Sequence, residues 1–147
     1  MTQAYFDTSC VAKCYVPELG SDAVREVARQ LSSVCCSALG KVELVSMLSR
    51  ARRDKRLTSR ALSEALSQFD DDIAAVVWNW IPVGTEVIED ARRRLEANGT
   101  KFALSCADAV HLSTARLAGF DEIWTADRRM IAAARSFGLR ARDPMAG

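Results

Sequence analysis

The sequence predicts an α/β fold: a three-layer α/β/α sandwich with a short-stranded parallel sheet, in one domain spanning residues 1–147. Three observations lead there. Short apolar runs alternate with longer amphipathic stretches, the pattern of strands joined by helical crossovers. The runs are too short and too uniformly apolar to be half exposed, so the sheet they build must be covered on both faces. Glycine and proline are sparse and fall at element boundaries, and no repeat, low-complexity segment or linker divides the chain. At 147 residues, with 49% hydrophobic and 27% charged, the chain is long enough and apolar enough for one buried core.

The elements follow in order. Ala4, Tyr5 and Phe6 make the first strand, residues 4–6, which ends at Asp7. Helical patterns cover 9–16 and 21–32, and Val34, Cys35 and Cys36 form the second strand, 34–36. Two long helical stretches, 39–56 and 58–78, predict a hairpin projecting from the sandwich. A third strand is expected at 80–83, then helices at 86–98 and 105–118, a strand at 122–124, a helix at 128–137 and a last strand at 139–141. Gly99, Gly119 and Gly138 each follow a helical pattern, where a left-handed residue is expected to close the helix.

Composition excludes several classes. The net charge of +1 makes the molecule no polycation, so any affinity for nucleic acid must come from local clustering. Five cysteines form no CxxC pair and sit mostly among Val, Ala and Leu, where a reduced thiol is a small apolar filler; neither a disulfide framework nor a zinc knuckle is indicated. No charged segment followed by an apolar stretch opens the chain, and no apolar run approaches about 18 residues. The expectation is a reduced, cytoplasmic protein with no membrane association. Walker A, GxGxxG and nucleophile-elbow patterns are absent.

Four acids sit where an apolar or turn residue would be ordinary. Asp7 closes the first strand, Glu43 interrupts residues 39–48, Asp108 lies within residues 104–117, and Asp127 comes just after Ile123 and Trp124. Ligands of such sheets bind beyond the carboxyl ends of the strands, the edge on which Asp7 and Asp127 fall. Both also precede a helix, so N-capping stays open beside ligation. Asp108 lies in a first turn, which the helix dipole favours, yet its neighbours at helical spacing are Leu104, His111, Leu112 and Ala115. Glu43 is mid-helix with Leu39 and Met47 one turn away, so capping is not available to it; an ion pair with Arg50, two turns on, is its structural alternative. Four carboxylates gathered by a fold need a cation between them. At about 4 Å each like-charged pair costs on the order of 4 kcal/mol at an effective dielectric near 20.

In their settings these residues resemble the PIN-domain ribonucleases, and more narrowly the toxins of VapBC-type toxin–antitoxin pairs, over nearly the whole chain. Tyr5-Phe6-Asp7-Thr8-Ser9 is similar to the family's opening strand with its first acid, and Lys41-Val42-Glu43-Leu44 to the second acid on the helix after strand two. Asp108-Ala109-Val110-His111-Leu112-Ser113-Thr114-Ala115 is close to the family's DAxHLxxA pattern, and Thr125-Ala126-Asp127 to its Thr/Ser-x-Asp. No acidic position is missing.

The resemblance implies a metal-dependent endoribonuclease that hydrolyses RNA phosphodiester bonds, leaving a 5′-phosphate and a 3′-hydroxyl. It implies one or two Mg²⁺ or Mn²⁺ ions as cofactor, a cognate antitoxin protein as partner, and a homodimer. Asp7 and Asp108 would be the innermost ligands, with Glu43 and Asp127 direct or water-mediated ones; Ser9 and Thr125 would orient water or carboxylate through their hydroxyls. His111, the only histidine, is read as a packing or hydrogen-bonding residue, because metal-bound water needs no separate base.

Basic residues gather between Arg50 and Arg60, and Arg50, Arg53 and Arg128 are candidates to contact RNA phosphates or acidic antitoxin side chains. Arg92-Arg93-Arg94 is read as a solvated helix face. The alternatives are a DNA-directed structure-specific nuclease and a non-catalytic PIN-fold interaction module. An aspartyl-phosphate enzyme would need a second Asp where Ser9 stands.

Overall fold

The computed structural model describes residues 2–146. In chain order the elements are β1 (Gln3–Tyr5), α1 (Thr8–Lys13), α2 (Ser21–Arg29), β2 (Ser33–Ser37), α3 (Leu39–Arg53), α4 (Ser59–Ala74), β3 (Trp78–Ile81), α5 (Thr85–Asn98), α6 (Cys106–Leu117), β4 (Glu122–Trp124), α7 (Arg128–Ala133), a 3₁₀ turn over Ala134–Phe137, and β5 (Arg140–Arg142). All pairings are parallel. β2 lies between β1 and β3, and β4 pairs with β5. A parallel bridge from Phe6 to Trp124 joins the two groups, giving the order β3-β2-β1-β4-β5.

Successive strand side chains point to opposite faces, and the two cores show it. Ala4, Phe6, Val34 and Cys36 enter a cluster with Val11, Leu44, Leu48, Phe69 and Trp78. Tyr5, Cys35 and Ile123 enter the other, with Leu112, Met130, Phe137 and Leu139. Helices α1–α4 therefore cover one face and α5–α7 the other, as the apolar runs require. Each large apolar side chain fully buried in this way contributes about 1.5–3 kcal/mol.

Three expectations change. The α3–α4 hairpin does not project from the sandwich: Leu44, Leu48, Ala51 and Leu57 at its turn, with Ala65 and Phe69, are buried in the first cluster, so it is part of that layer. Helix α4 stops at Ala74 rather than running to Trp78. Val76 takes a left-handed conformation with φ 55°, and the Val77 N–H returns to Asp72 O, which closes the helix. Trp78 then starts β3 opposite Val34, its Nε1 donating to the Tyr15 hydroxyl at 2.6 Å. Gly119 and Gly138 are left-handed as expected, but Gly99 stays right-handed with φ −64° and donates its N–H to Leu95 O.

Candidate active site

The strand order reverses between β1 and β4, and the site lies beyond the carboxyl ends of those two strands. Asp7 is fixed there through its backbone: its N–H donates to Trp124 O at 3.0 Å, while Phe6 N–H donates to Cys35 O at 2.9 Å. The carboxylate is buried and takes three hydrogen bonds. Ser9 Oγ (2.7 Å) and Cys10 N–H (3.0 Å) donate to Oδ1, and Thr125 Oγ1 (2.6 Å) donates to Oδ2. Burial pushes its pKa up, and the donors Thr125, Ser9 and Cys10, with the electrostatic pull of His111, only partly hold it back. Asp7 caps α1 and faces the site at once.

Asp127 is likewise both. It caps α7 by accepting from Arg129 N–H (2.8 Å) and Met130 N–H (3.4 Å) at Oδ1, and its own N–H donates to Thr125 Oγ1 at 3.0 Å. Asp108 forms a reciprocal capping box with Ser105, each accepting the other's N–H at 3.1 Å. That local role is written in the sequence as Ser-x-x-Asp ahead of an apolar helix.

Glu43 rises from the middle of α3. Its Oε1 accepts from Thr8 Oγ1 at 2.8 Å and His111 Nε2 at 2.5 Å. The partner is therefore His111 and not Arg50. Burial works to raise the Glu43 pKa, but the hydrogen bond and electrostatic pull of the His111 ring, with the Thr8 hydrogen bond, outweigh it and hold the carboxyl below its usual range. His111 is buried and hydrogen-bonded as expected, its Nδ1 lying 2.7 Å from the Tyr5 hydroxyl. Thr8, which the motif reading passed over for Ser9, touches both Glu43 and His111.

The structure brings all four acids to one open cleft of about 520 Å³, lined also by Thr8, Ser9, Ser105, His111, Met130 and Arg50. Thr125 stands behind Asp7, fully buried. Arg53 and Arg128 are exposed and outside this lining. Arg92 pairs with Glu89 and Glu96, the solvated face expected, while Arg94 reaches Ser136 O and lies over the Phe137 ring.

Among the described residues no three His, Cys, Asp or Glu side chains are already gathered as a metal-ligand cluster. The donor chemistry nevertheless suits a hard cation. Glu43 Oε2, Asp108 Oδ1 and Asp127 Oδ2 carry no hydrogen bond among the described residues, and no Lys or Arg there forms an ion pair with Asp7, Glu43 or Asp108. The unpaired oxygens are carboxylate oxygens, the preference of Mg²⁺ and Mn²⁺. Both nitrogens of the one imidazole are already engaged.

A family model described as PIN domain matches residues 4–136. Ribonuclease VapC46 of Mycobacterium tuberculosis (strain ATCC 25618 / H37Rv) is 28% identical over 148 residues, covering 98% of this chain and 99% of that protein. The VapC20 structure from the same species, titled as a sarcin-ricin loop cleaving toxin, superposes with a TM-score of 0.69 at 20% identity, covering 88% of this chain and 94% of that one. A toxin–antitoxin complex from Klebsiella pneumoniae contains a chain that superposes with a TM-score of 0.64 at 15% identity, covering 96% and 97%. At such identities the two structures establish a shared fold. No helix of the described residues is long and apolar enough to cross a membrane.

Proposed function

Because this chain belongs to the PIN domain family, we propose that it is a metal-dependent endoribonuclease, the toxin of a toxin–antitoxin pair. The observation that carries the reading is one cleft lined by Asp7, Glu43, Asp108 and Asp127, which come from four separate elements. The similarity to Ribonuclease VapC46 along its whole length supports the RNA substrate, and the fold shared with a chain of a toxin–antitoxin complex supports an antitoxin partner. The five free thiols suit a cytoplasmic setting, and the assembly is read as a homodimer.

Asp7 and Asp108 would hold one or two Mg²⁺ or Mn²⁺ ions most closely, and Glu43 and Asp127 would ligate directly or through water. When bound, such an ion supplies a water of lowered pKa and neutralises charge on the phosphate. The chain's own residues do the rest. Ser9 and Thr125 aim the two oxygens of Asp7. Arg50, exposed on the cleft wall, meets the phosphate backbone, while Arg53 and Arg128 extend the basic surface toward RNA or an acidic antitoxin segment. His111 abstracts no proton, since its ring nitrogens are engaged by Tyr5 and by Glu43 with Thr8.

The test is cleavage of structured RNA with Mg²⁺ or Mn²⁺ by the purified protein, beside Asp7→Asn and Asp108→Asn variants. Both variants should lose activity by a hundredfold or more, on the order expected when a charged metal ligand is removed, and EDTA should abolish it. Cleavage that survives in both variants or ignores EDTA overturns the metal site. Cutting confined to DNA overturns the RNA assignment, and a protein inert on every nucleic acid is a binding module. Co-purification with a small acidic protein would identify the antitoxin partner, and light scattering the dimer.

A further inference from the structure

Glu43 is unlike the other three acids: no cap or backbone donor holds its carboxylate, and both of its hydrogen bonds come from side chains on other elements. One of those side chains is anchored deep in the sheet. Ser37 N–H of β2 donates to the Tyr5 hydroxyl at 3.0 Å, and that hydroxyl lies 2.7 Å from His111 Nδ1. His111 Nε2 lies 2.5 Å from Glu43 Oε1 and 2.9 Å from Thr8 Oγ1, which itself donates to Oε1. Tyr5, Ser37, Thr8 and His111 are all buried.

Counting hydrogens sets the direction of the chain. The Tyr5 hydroxyl already accepts the Ser37 N–H, and among the described residues its one other hydrogen-bond partner is His111 Nδ1. It must donate there, so the ring carries its hydrogen on Nε2 and donates that to Glu43, with Thr8 Oγ1 as a second, shared acceptor. Each polar hydrogen linking Ser37, Tyr5, His111, Thr8 and Glu43 then has an acceptor. Both donors converge on Oε1, which leaves Oε2 without a hydrogen bond among the described residues of a side chain that lines the cleft. Gly40, one turn before Glu43, makes the approach possible. A Cβ there would lie 2.7 Å from Cys36 Sγ and 3.2 Å from Thr8 Oγ1, so a side chain would push α3 away from α1.

We infer that His111 is a positioning residue for Glu43, the last link of a chain from the β2 backbone through Tyr5 that fixes which carboxylate oxygen is offered to the site. The inference deepens the nuclease reading and rests on it for the ligand role of Glu43. The imidazole does for this acid what a backbone cap does for Asp7: it removes side-chain freedom before a ligand arrives. An isolated buried histidine satisfied by a convenient acid would give the same hydrogen bonds but no effect on ligand affinity.

The test uses the full chain with Mn²⁺ as probe. Binding is followed by electron paramagnetic resonance without RNA, and turnover with RNA is measured separately, for the wild type and for Tyr5→Phe, His111→Leu and His111→Gln. Tyr5→Phe removes one hydroxyl and leaves the ring. It should weaken Mn²⁺ about tenfold and lower kcat with KM for RNA unchanged; His111→Leu should do more, and His111→Gln, which restores an N–H donor, should recover part of the loss. Wild-type Mn²⁺ affinity and kcat in Tyr5→Phe and in folded His111→Leu would overturn the inference. If His111→Leu does not fold, Tyr5→Phe carries the test.

A second readout needs no metal. With one histidine in the chain, nitrogen NMR reports this ring alone. The Nε2–H tautomer is expected in the wild type, giving way to a mixture in Tyr5→Phe; a free tautomer mixture in the wild type overturns the chain. If the wild type neither binds Mn²⁺ nor cuts RNA, the nuclease reading falls, and with it the ligand role of Glu43, while the NMR result still decides whether the chain orders His111.

Discussion

Thr125, one residue past β4, donates its hydroxyl hydrogen to Asp7, two residues past β1, at 2.6 Å, tying the two central strands together at the point where the strand order reverses. The bond is buried and its acceptor is a carboxylate, so it should be among the stronger ones in the molecule. Thr125→Val keeps the shape and removes the donor, and it should cost about 1.5–3 kcal/mol, the range for hydrogen bonds to charged groups. Thr125→Ser should recover most of that. Urea denaturation of the metal-free protein measures both, and a Val variant as stable as the wild type would show the bond to be idle.

Burial raises the Asp7 pKa above the ordinary aspartate value of 3.8. The sign follows from linkage. A carboxyl whose folded value lies above its unfolded one stabilises the fold fully below the unfolded value, and that contribution disappears as pH rises through the folded value. Asp7→Asn does not titrate, so relative to wild type it should gain stability between pH 3 and pH 7. Unfolding free energies of both proteins without metal, measured across that range, give the slope. A wild type that gains on the variant as pH rises would contradict the assigned environment.

Glu43 should behave in the opposite sense. Burial alone would raise its pKa, but His111 and Thr8 hold it below the ordinary value of 4.5. Its contribution is therefore present above 4.5 and is lost as pH falls through the folded value. Glu43→Gln should be less stable than wild type at pH 7, and the gap should close below the wild type's folded value. The same titrations read this, and a gap that is constant with pH would mean that His111 and Thr8 do not favour the ionised form of Glu43.

Val76 holds a left-handed backbone at φ 55° while its side chain is 76% exposed, so it bears strain with little packing in return. A β-branched residue there costs roughly 1–2 kcal/mol. Val76→Gly should raise the stability by about 1 kcal/mol, after glycine's own unfolded-state entropy is subtracted. Thermal unfolding would show this as a rise of ~2–4 °C for a chain of this size. A lower melting temperature would mean that Val76 packs in a way its exposure does not suggest.

Val76 also marks where local pattern stops being enough. Ile73, Ala74, Ala75, Val76 and Val77 read as the continuing apolar side of a helix, and what ends α4 is a backbone conformation unfavourable to valine, followed by Trp78 seated against Tyr15. Strands such as β4 were legible because an apolar run of that length between helices has few other uses. The acids were legible for the same reason, as misplaced charges. The partner of Glu43 was not. Sequence offers Arg50 on the same helix, whereas the residue that meets it, His111, is 68 positions away and reaches it only once α6 lies across the sheet. Thr8 was hidden by its neighbours, since a hydroxyl beside a capping Asp gives no sign that it reaches another helix. The capping box of Ser105 and Asp108 was readable, but the apolar neighbours of Asp108 drew attention from it.

The place of β1 between β2 and β4 has a consequence for how such a protein is made. A chain leaving the ribosome from its N-terminus can pair β1, β2 and β3 while the remainder is still being translated, and domains begin to fold in that direction. Asp7 and Glu43 are then present, but Asp108, Thr125 and Asp127 are not. A nascent or truncated product that stops before α6 therefore carries only half of the acids, and until β4 follows one edge of β1 stays unpaired. The four-acid cleft cannot assemble until the last strands emerge, so the complete site arrives only with the nearly finished polypeptide.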